Sequence, residues 1–309
     1  METRANLLKL LEKVEILSKK YLEYQQNYGG PGLLKKFKRL LRLLKYREKY
    51  LKYCFSKFKF YQNKLIILGI ENHLSILPKD FYPYYYSIIY NPEIRLSKYL
   101  IKNLRDNSIF YDIGANIGYY CFLAKEISDF TEIHAFEPAP KNMQVLRKNL
   151  LNKQNIFLNQ LALFNKEDKI DFYDTIEIGS GGSTFSSSRA KFLPNFKKIK
   201  VQTTTLDKYC ANHSSWPDLI KIDVEGAEGQ VIEGGIKILK EGSPIIAMEV
   251  WKNVLGNTSH LKAIEILYNL GYKSYKINKE GDLEFIEKID PEKDILEKDE
   301  ADNFIFKKE

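Results

Sequence analysis

From Ser108 onward, short apolar runs alternate with longer stretches of helical periodicity, and this pattern narrows the fold more than any other feature. The runs are Ile109–Ile113, Glu132–Phe136, Ile156–Leu158, Leu219–Val224 and Pro244–Val250. Helical stretches at Tyr119–Ile127, Lys141–Leu151, Gly229–Leu239 and Ser259–Leu270 lie between and after them. Strand–helix–strand alternation predicts a parallel sheet with helices on both faces. Three later runs, Tyr272–Ile277, Leu283–Ile286 and Asn303–Phe306, have no helical stretch between them and predict an antiparallel pair closing one sheet edge.

The chain ahead of this pattern is different in charge. The formal net charge is +8, yet residues 1–64 alone hold 17 Lys and Arg against 5 Asp and Glu, so a basic arm precedes a slightly acidic body. The expected organisation is a basic helical arm (1–64), a strand, aromatic loop and helix (65–107), and the sheet domain (108–309). In the arm, Leu7, Leu10, Val14, Leu17, Tyr21 and Tyr24 follow heptad steps. That seam suits a helix docked on its own domain or a homodimer zipper. Residues 33–60 read as a basic amphipathic helix. It could lie peripherally on an anionic membrane, meet nucleic-acid phosphates, or present a solvated face. Asn91-Pro92-Glu93 is a helix start, with Asn as cap and Pro at the first position.

Cys54, Cys121 and Cys210 show no paired spacing, and the four His are dispersed, so reduced thiols and no structural zinc are expected. No run approaches a membrane span and no signal peptide is evident, which predicts a cytoplasmic protein, peripheral at most to an anionic membrane surface.

The chemistry sits where strands end. Asp112 closes the first run, and Gly114, Asn116 and Gly118 punctuate the turn into the next helix. Ligands of such sheets bind beyond the carboxyl ends of the strands, and glycine there permits positive φ and close approach of backbone to ligand. The three-glycine GxGxxG pattern for a pyrophosphate is absent. A leading carboxylate suits a ligand bearing an ammonium group. Glu137 follows Asp112 by 25 residues, where an acid can accept both hydrogen bonds of a ribose diol. Asp223, Glu225, Glu228 and Glu249 then crowd the same rim. Like charges repel, and a cationic ligand, a divalent metal or a base function would relieve them.

FYDIGANIGYY (Phe110–Tyr120), HAFEPAP (His134–Pro140), Ser180–Thr184, LIKIDVEGAE (Leu219–Glu228) and IAMEV (Ile246–Val250) resemble, in order and spacing, the FkbM-type methyltransferases. The resemblance covers roughly Tyr90 to the C-terminus; the arm has no counterpart in it. It implies a class I methyltransferase fold, a Rossmann-like α/β architecture whose seven-stranded sheet is mostly parallel with an antiparallel edge. It implies S-adenosylmethionine as cofactor. Asp112 and Gly114 would line the methionine end, and Asn116 and Gly118 of the same turn would bind the cofactor too. Glu137 would hold the ribose, and Asn159 to Ala162 would lie near the adenine. Asp223, Glu225, Glu228 and Glu249 would line the methyl-transfer side.

The implied reaction is O-methylation of a hydroxyl on a sugar, glycan or other small-molecule or lipid-linked acceptor. A hydroxyl needs a base, and Asp223 is the first candidate with Glu249 the second. A metal at Asp223 and a neighbour could acidify the hydroxyl, but the base is favoured and no metal ligand is assigned. Ser183 lies in the Gly- and Ser-rich stretch Thr175–Phe196, either a lid over the acceptor or a plain surface loop. Trp251 could stack on a sugar ring or pack in the core. A nucleic-acid methyltransferase using the basic arm is the competing enzyme, disfavoured because the carboxylates after Ile222 would repel phosphates. A non-catalytic scaffold with the same fold is the third reading.

Overall fold

The computed structural model describes residues 3–9, 11, 12, 15, 65–67, 70–72, 91–151, 153–175, 182–191, 195–252, 258–296 and 300–309. The basic stretch 33–60 and most of the heptad seam lie outside these. The strands are β1 (Leu65–Ile67), β2 (Ile70–Asn72), β3 (Ile109–Ile113), β4 (Glu132–Phe136), β5 (Ile156–Asn159), β6 (Ala162–Leu163) and β7 (Asp168–Thr175). They continue as β8 (Phe196–Thr204), β9 (Leu219–Ile222), β10 (Ile245–Trp251), β11 (Lys273–Ile277), β12 (Leu283–Ile286) and β13 (Ala301–Lys307).

The main sheet runs β12-β11-β13-β10-β9-β3-β4-β5. β10, β9, β3, β4 and β5 are parallel neighbours, and β13 runs antiparallel between β10 and β11. The expected mostly parallel sheet with an antiparallel edge is therefore present, with one correction: it has eight strands rather than seven. The extra member is β12, which folds back on β11 as the outermost strand. From β3 the chain moves outward through β4 and β5, then returns to place β9 on the other side of β3. That reversal opens a crevice beyond the carboxyl ends of β3 and β9.

Two apolar clusters cover the two faces of the sheet. One gathers Leu100, Phe122, Leu123 and Leu146 from helices Asn91–Asn103, Tyr119–Ile127 and Pro140–Asn149. The other gathers Leu206, Val231, Leu239 and Leu267 from helices Leu206–His213, Glu228–Glu233, Ile236–Glu241 and Ser259–Asn269. The helix predicted over Gly229–Leu239 is two helices. It is interrupted at Gly234-Gly235, where Phe164 O lies 2.1 Å from where a Cβ on Gly234 would stand, so only glycine fits there.

The start of the arm is part of this body. Residues 3–9 are helical, and Leu7 and Leu11 are buried with Leu96, Leu100 and Leu104. Arg4 donates to Ile101 O and Leu104 O at 2.6 Å each, capping carbonyls that end helix Asn91–Asn103. Lys98 meets Glu15 at 2.9 Å. Leu7 of the heptad seam therefore faces the domain's own core, which is the docked reading. Among the described residues no helix is long and apolar enough to cross a membrane.

A three-stranded sheet, β6-β8-β7, is inserted between β5 and β9. The stretch predicted as a loop over Thr175–Phe196 is the connection of the β7–β8 hairpin, and Thr184 returns to bridge Tyr173. The signal was in the sequence: Ile199, Val201 and Thr203 alternate with Lys and Gln, the period of a half-buried strand.

Candidate active site

The crevice at the β3–β9 reversal holds an open cleft. Its polar wall includes Gly114, Asn116, Glu137, Ser183, Asp223 and Glu225, and its apolar wall includes Phe136, Leu161, Ala162, Phe172 and Phe185.

The turn after β3 is shaped by close backbone approach. Gly114 has φ +82°, and a Cβ there would sit 1.8 Å from Asp223 O. Only glycine lets the β3 and β9 turns touch. Gly114→Ala is expected to destabilise the fold by roughly 3 kcal/mol or more, from left-handed strain plus overpacking against backbone. A urea-midpoint shift of that size with an unchanged m-value checks it. Asn116, at φ +51°, donates its backbone N–H to Glu137 Oε2 at 2.8 Å. Its Oδ1 is buried without a hydrogen-bond partner. Gly118, at φ +98°, faces Leu146 rather than the cleft and serves helix packing.

Glu137 follows β4 and lines the cleft. Its second oxygen accepts Ala139 N–H at 2.8 Å. Burial pushes its carboxyl up to about 7, against the lowering effect of these two backbone N–H groups. After β5, Ala162 lines the cleft while Asn159 turns away. The Asn159 amide donates to Tyr209 Oη at 2.9 Å, and its backbone carbonyl accepts Glu137 N–H.

Asp112 stands apart from the expectation that it lines the methionine end. It is fully buried beneath the turn, accepts Cys121 Sγ at 3.1 Å and lies 3.5 Å from Lys221 Nζ. Burial raises its pKa, and Lys221 opposes that rise. Lys221 was not anticipated. It is buried in the middle of β9, donates to Gly114 O and Asp223 Oδ2 at 3.2 Å each, and lies over the Tyr120 ring. Burial disfavours its charge, but Asp223 and Asp112 more than offset this, and its pKa stands above the usual lysine value. A lysine inside the four-residue strand Leu219–Ile222 was the available signal, because a buried lysine requires an anionic partner.

Asp223 lines the cleft with its side chain 28% exposed. Glu225, in a left-handed conformation at φ +56°, lines it too. Glu249 is half-buried at the end of β10 and accepts Trp251 Nε1 at 2.7 Å, so the indole is tied to the carboxylate. Asp223, Glu225 and Glu249 bring carboxylate oxygens within 4.8 Å of one another, a grouping in which a divalent cation could be held. Glu228 is fully buried and accepts Gly226 N–H at 2.9 Å, shaping the turn rather than facing the cleft. Ser183 lines the cleft and bonds Asp174 Oδ1 at 3.2 Å. Its neighbour Thr184 donates to Glu225 O.

A glycine-bearing turn after β3, a carboxylate after β4 and an open carboxylate after β9, all on this sheet order, define the class I methyltransferase fold. Residues 112–274, just over half of the chain, match the Methyltransferase FkbM domain, and the chain belongs to that family. The 2-O-methyltransferase NoeI of Sinorhizobium fredii (strain NBRC 101917 / NGR234) is 27% identical over 146 residues, covering 44% of this chain and 60% of that protein. Methyltransferase 1 of Beauveria bassiana (strain ARSEF 2860) is 24% identical over 160 residues, covering 46% of this chain and 64% of that protein. The chain thus spans less than two thirds of the length of either relative. The crystal structure of Methyltransferase FkbM from Methylobacillus flagellatus KT aligns with a TM-score of 0.43 at 15% identity, over 67% of this chain and 45% of that one.

Proposed function

We propose that the chain is an S-adenosylmethionine-dependent O-methyltransferase acting on a hydroxyl of a sugar, glycan or other small-molecule or lipid-linked acceptor. The observation that carries this reading is the meeting of two turns at the β3–β9 reversal. One offers a backbone cradle at Gly114, and the other presents Asp223 to the same cleft. The cofactor fits the residues present. The unpartnered Oδ1 of Asn116 offers an acceptor for an ammonium group, Glu137 offers a carboxylate for a ribose diol, and Leu161 with Ala162 offers an apolar flank for a base. When bound, S-adenosylmethionine supplies a sulfonium methyl group that passes to a nucleophilic oxygen.

Asp223 is the group placed to take the acceptor's proton, and Lys221 holds one of its oxygens in place. Orientation of an in-line pair contributes up to about 7–11 kcal/mol, and a positioned base a further ~10²–10⁴-fold. The name of the Sinorhizobium relative supports oxygen as the acceptor atom. The openness of Asp223 speaks against a non-catalytic scaffold. A cation held by Asp223, Glu225 and Glu249 is the second reading of that rim; a metal requirement that chelation abolishes would favour it. Calorimetry with S-adenosylmethionine tests the donor half, and the proposal fails if no binding is seen. Labelled methyl transfer into fractionated glycans and lipids of the source cells tests the acceptor half. A steep salt dependence of nucleic-acid binding would instead favour the phosphate-reading alternative.

The state of Glu137 adds a pH dependence. A ribose diol donates to the ionised carboxylate, and this carboxyl ionises only near about 7 before the cofactor binds. Affinity for S-adenosylmethionine is therefore expected to weaken as pH falls below 7, by up to about tenfold per unit. Titrations at pH 8 and pH 6 check it, and Glu137→Gln should flatten the dependence.

A further inference from the structure

Part of the cleft lining is carboxylate, from Glu137, Asp223 and Glu225, and part is aromatic and aliphatic. Two of its rings, Phe172 and Phe185, come from the β7–β8 insertion rather than from the main sheet. The Phe185 centroid stands 4.7 Å from that of Phe172 and 5.6 Å from that of Phe164, at interplanar angles of 52° and 50°. Such tilted ring pairs are favourable and fix the orientation of the middle ring. Phe164 follows β6, so the trio joins the stretch Leu161–Leu163, which also lines the cleft. Phe172 packs with Ala139, two residues beyond Glu137. The rings therefore span from the carboxylate suited to a ribose to the flank suited to a base. Thr184, fully buried, sets Phe185 in place. Its backbone exchanges hydrogen bonds with Tyr173 at 2.9 and 3.1 Å. Its hydroxyl donates to Glu225 O and accepts Ser186 N–H at 3.0 Å. The Ser183 hydroxyl accepts Thr175 N–H at 3.0 Å and bonds Asp174 Oδ1 at 3.2 Å. Both hydroxyls are thus committed within the protein. A sugar stacked on Phe185 would find no hydroxyl partner in Ser183 or Thr184, whereas a flat base asks chiefly for apolar faces.

We propose that the β7–β8 insertion is the donor-side wall of the cleft: Phe185, braced by Phe172 and Phe164, stacks on a purine base, and Thr184 is the positioning residue that holds it there. A ligand with a flat base at one end and a charged, hydrogen-bonding arm at the other matches a lining that is aromatic over one stretch and carboxylate-rich over another. Ser183, Thr184 and Phe185 then belong to the donor end of the cleft and are neither an acceptor lid nor a plain surface loop. The Thr184 hydroxyl also joins this wall to the turn that carries Asp223 and Glu225. An ordered wall and an ordered carboxylate turn therefore come together. The wall rests on the methyltransferase reading for the identity of the donor, but its recognition of a purine stands apart from that reading.

The test uses the full chain and two probes, S-adenosylhomocysteine and 5′-deoxy-5′-methylthioadenosine, which share the base and ribose but differ in the amino-acid arm. Calorimetry reads their affinities. Phe185→Leu, which keeps apolar bulk but loses the ring, should weaken both by about tenfold to a hundredfold, and by the same factor, because both carry the base. Phe185→Tyr should recover most of the loss. Thr184→Val should weaken both by about twofold to tenfold, and Thr184→Ser, which keeps the hydroxyl, should not. In NMR spectra the adenine H2 and H8 resonances should move upfield on binding, and that displacement should shrink in Phe185→Leu. Urea unfolding checks that the variants fold; should Phe185→Leu fail to, the Thr184→Val and Thr184→Ser pair carries the result. Wild-type affinity in Phe185→Leu, an unchanged ring-current displacement, or a loss confined to S-adenosylhomocysteine overturns the wall and leaves the methyltransferase reading intact. Binding of methylthioadenosine with the expected variant pattern, but no binding of S-adenosylhomocysteine, overturns the methyltransferase reading alone. No wild-type binding of either probe overturns both.

Discussion

Replacing Lys221 with methionine is expected to cost about 3–5 kcal/mol of folding stability, because one partner of a buried charge cluster is removed and the other left uncompensated. Lys221 is 4% exposed by its side chain and Asp112 1%. Deleting the ammonium leaves the Asp112 carboxylate buried with only the Cys121 thiol as a hydrogen-bond donor. The sign of the pH dependence follows from Asp112. Its folded-state pKa is already raised by burial, and Lys221 is the chief opposing influence. Without Lys221 it rises further, so the variant holds the proton more tightly when folded than unfolded. Its stability deficit should therefore be smallest near the unfolded carboxyl pKa and grow as pH rises. Urea unfolding of both proteins at pH 5 and pH 8 measures this. A deficit that shrinks with rising pH would show that Asp112 is not the charge Lys221 neutralises.

Asp223→Asn carries the largest expected loss of activity. The substitution keeps the shape of the side chain and its contact with Lys221 but removes the proton acceptor. Methyl transfer into the accepting fraction should fall by about 10²–10⁴-fold, while affinity for S-adenosylmethionine stays within a few fold. Glu249→Gln is expected to cost less, since that carboxylate is tied to Trp251 Nε1. If Glu249→Gln is the more damaging change, the base belongs to β10 instead of β9.

Much of the fold could be read directly, since buried parallel strands are continuous apolar runs and each ends at a glycine or carboxylate turn. Ile109–Ile113, Glu132–Phe136 and Leu219–Ile222 fall where the runs predict. The β6–β8–β7 sheet was harder because its strands are half-buried and lysine-rich, so that β8 carries Lys197, Lys198 and Lys200. The helix Leu206–His213 is two turns long, and its clearest mark is the Thr205 cap bonded to Lys208 N–H. In the site, the chemistry of each strand end was legible, but the depth of each side chain was not. Asp112 and Glu228 read as rim carboxylates and are instead buried supports. Glu93 reads as a charge favoured at a helix start. Its place beside Tyr120 and Asn303 depends on how that helix crosses the sheet, which no local pattern encodes.

The contact between Gly114 and Asp223 also bears on turnover. Two turns whose backbones touch cannot part without unmaking the β3–β9 pairing, so the donor cradle and the candidate base form one stationary block. If the proposed reaction takes place here, exchange of cofactor and product would fall to the other walls of the cleft. The β7–β8 hairpin is the obvious one, since Ser183 and Phe185 line the cleft and Thr184 latches to the block through a single side-chain hydroxyl on Glu225 O. On the methyltransferase reading proposed above, a lid role for this insertion would let it pace release while the sheet holds the chemistry.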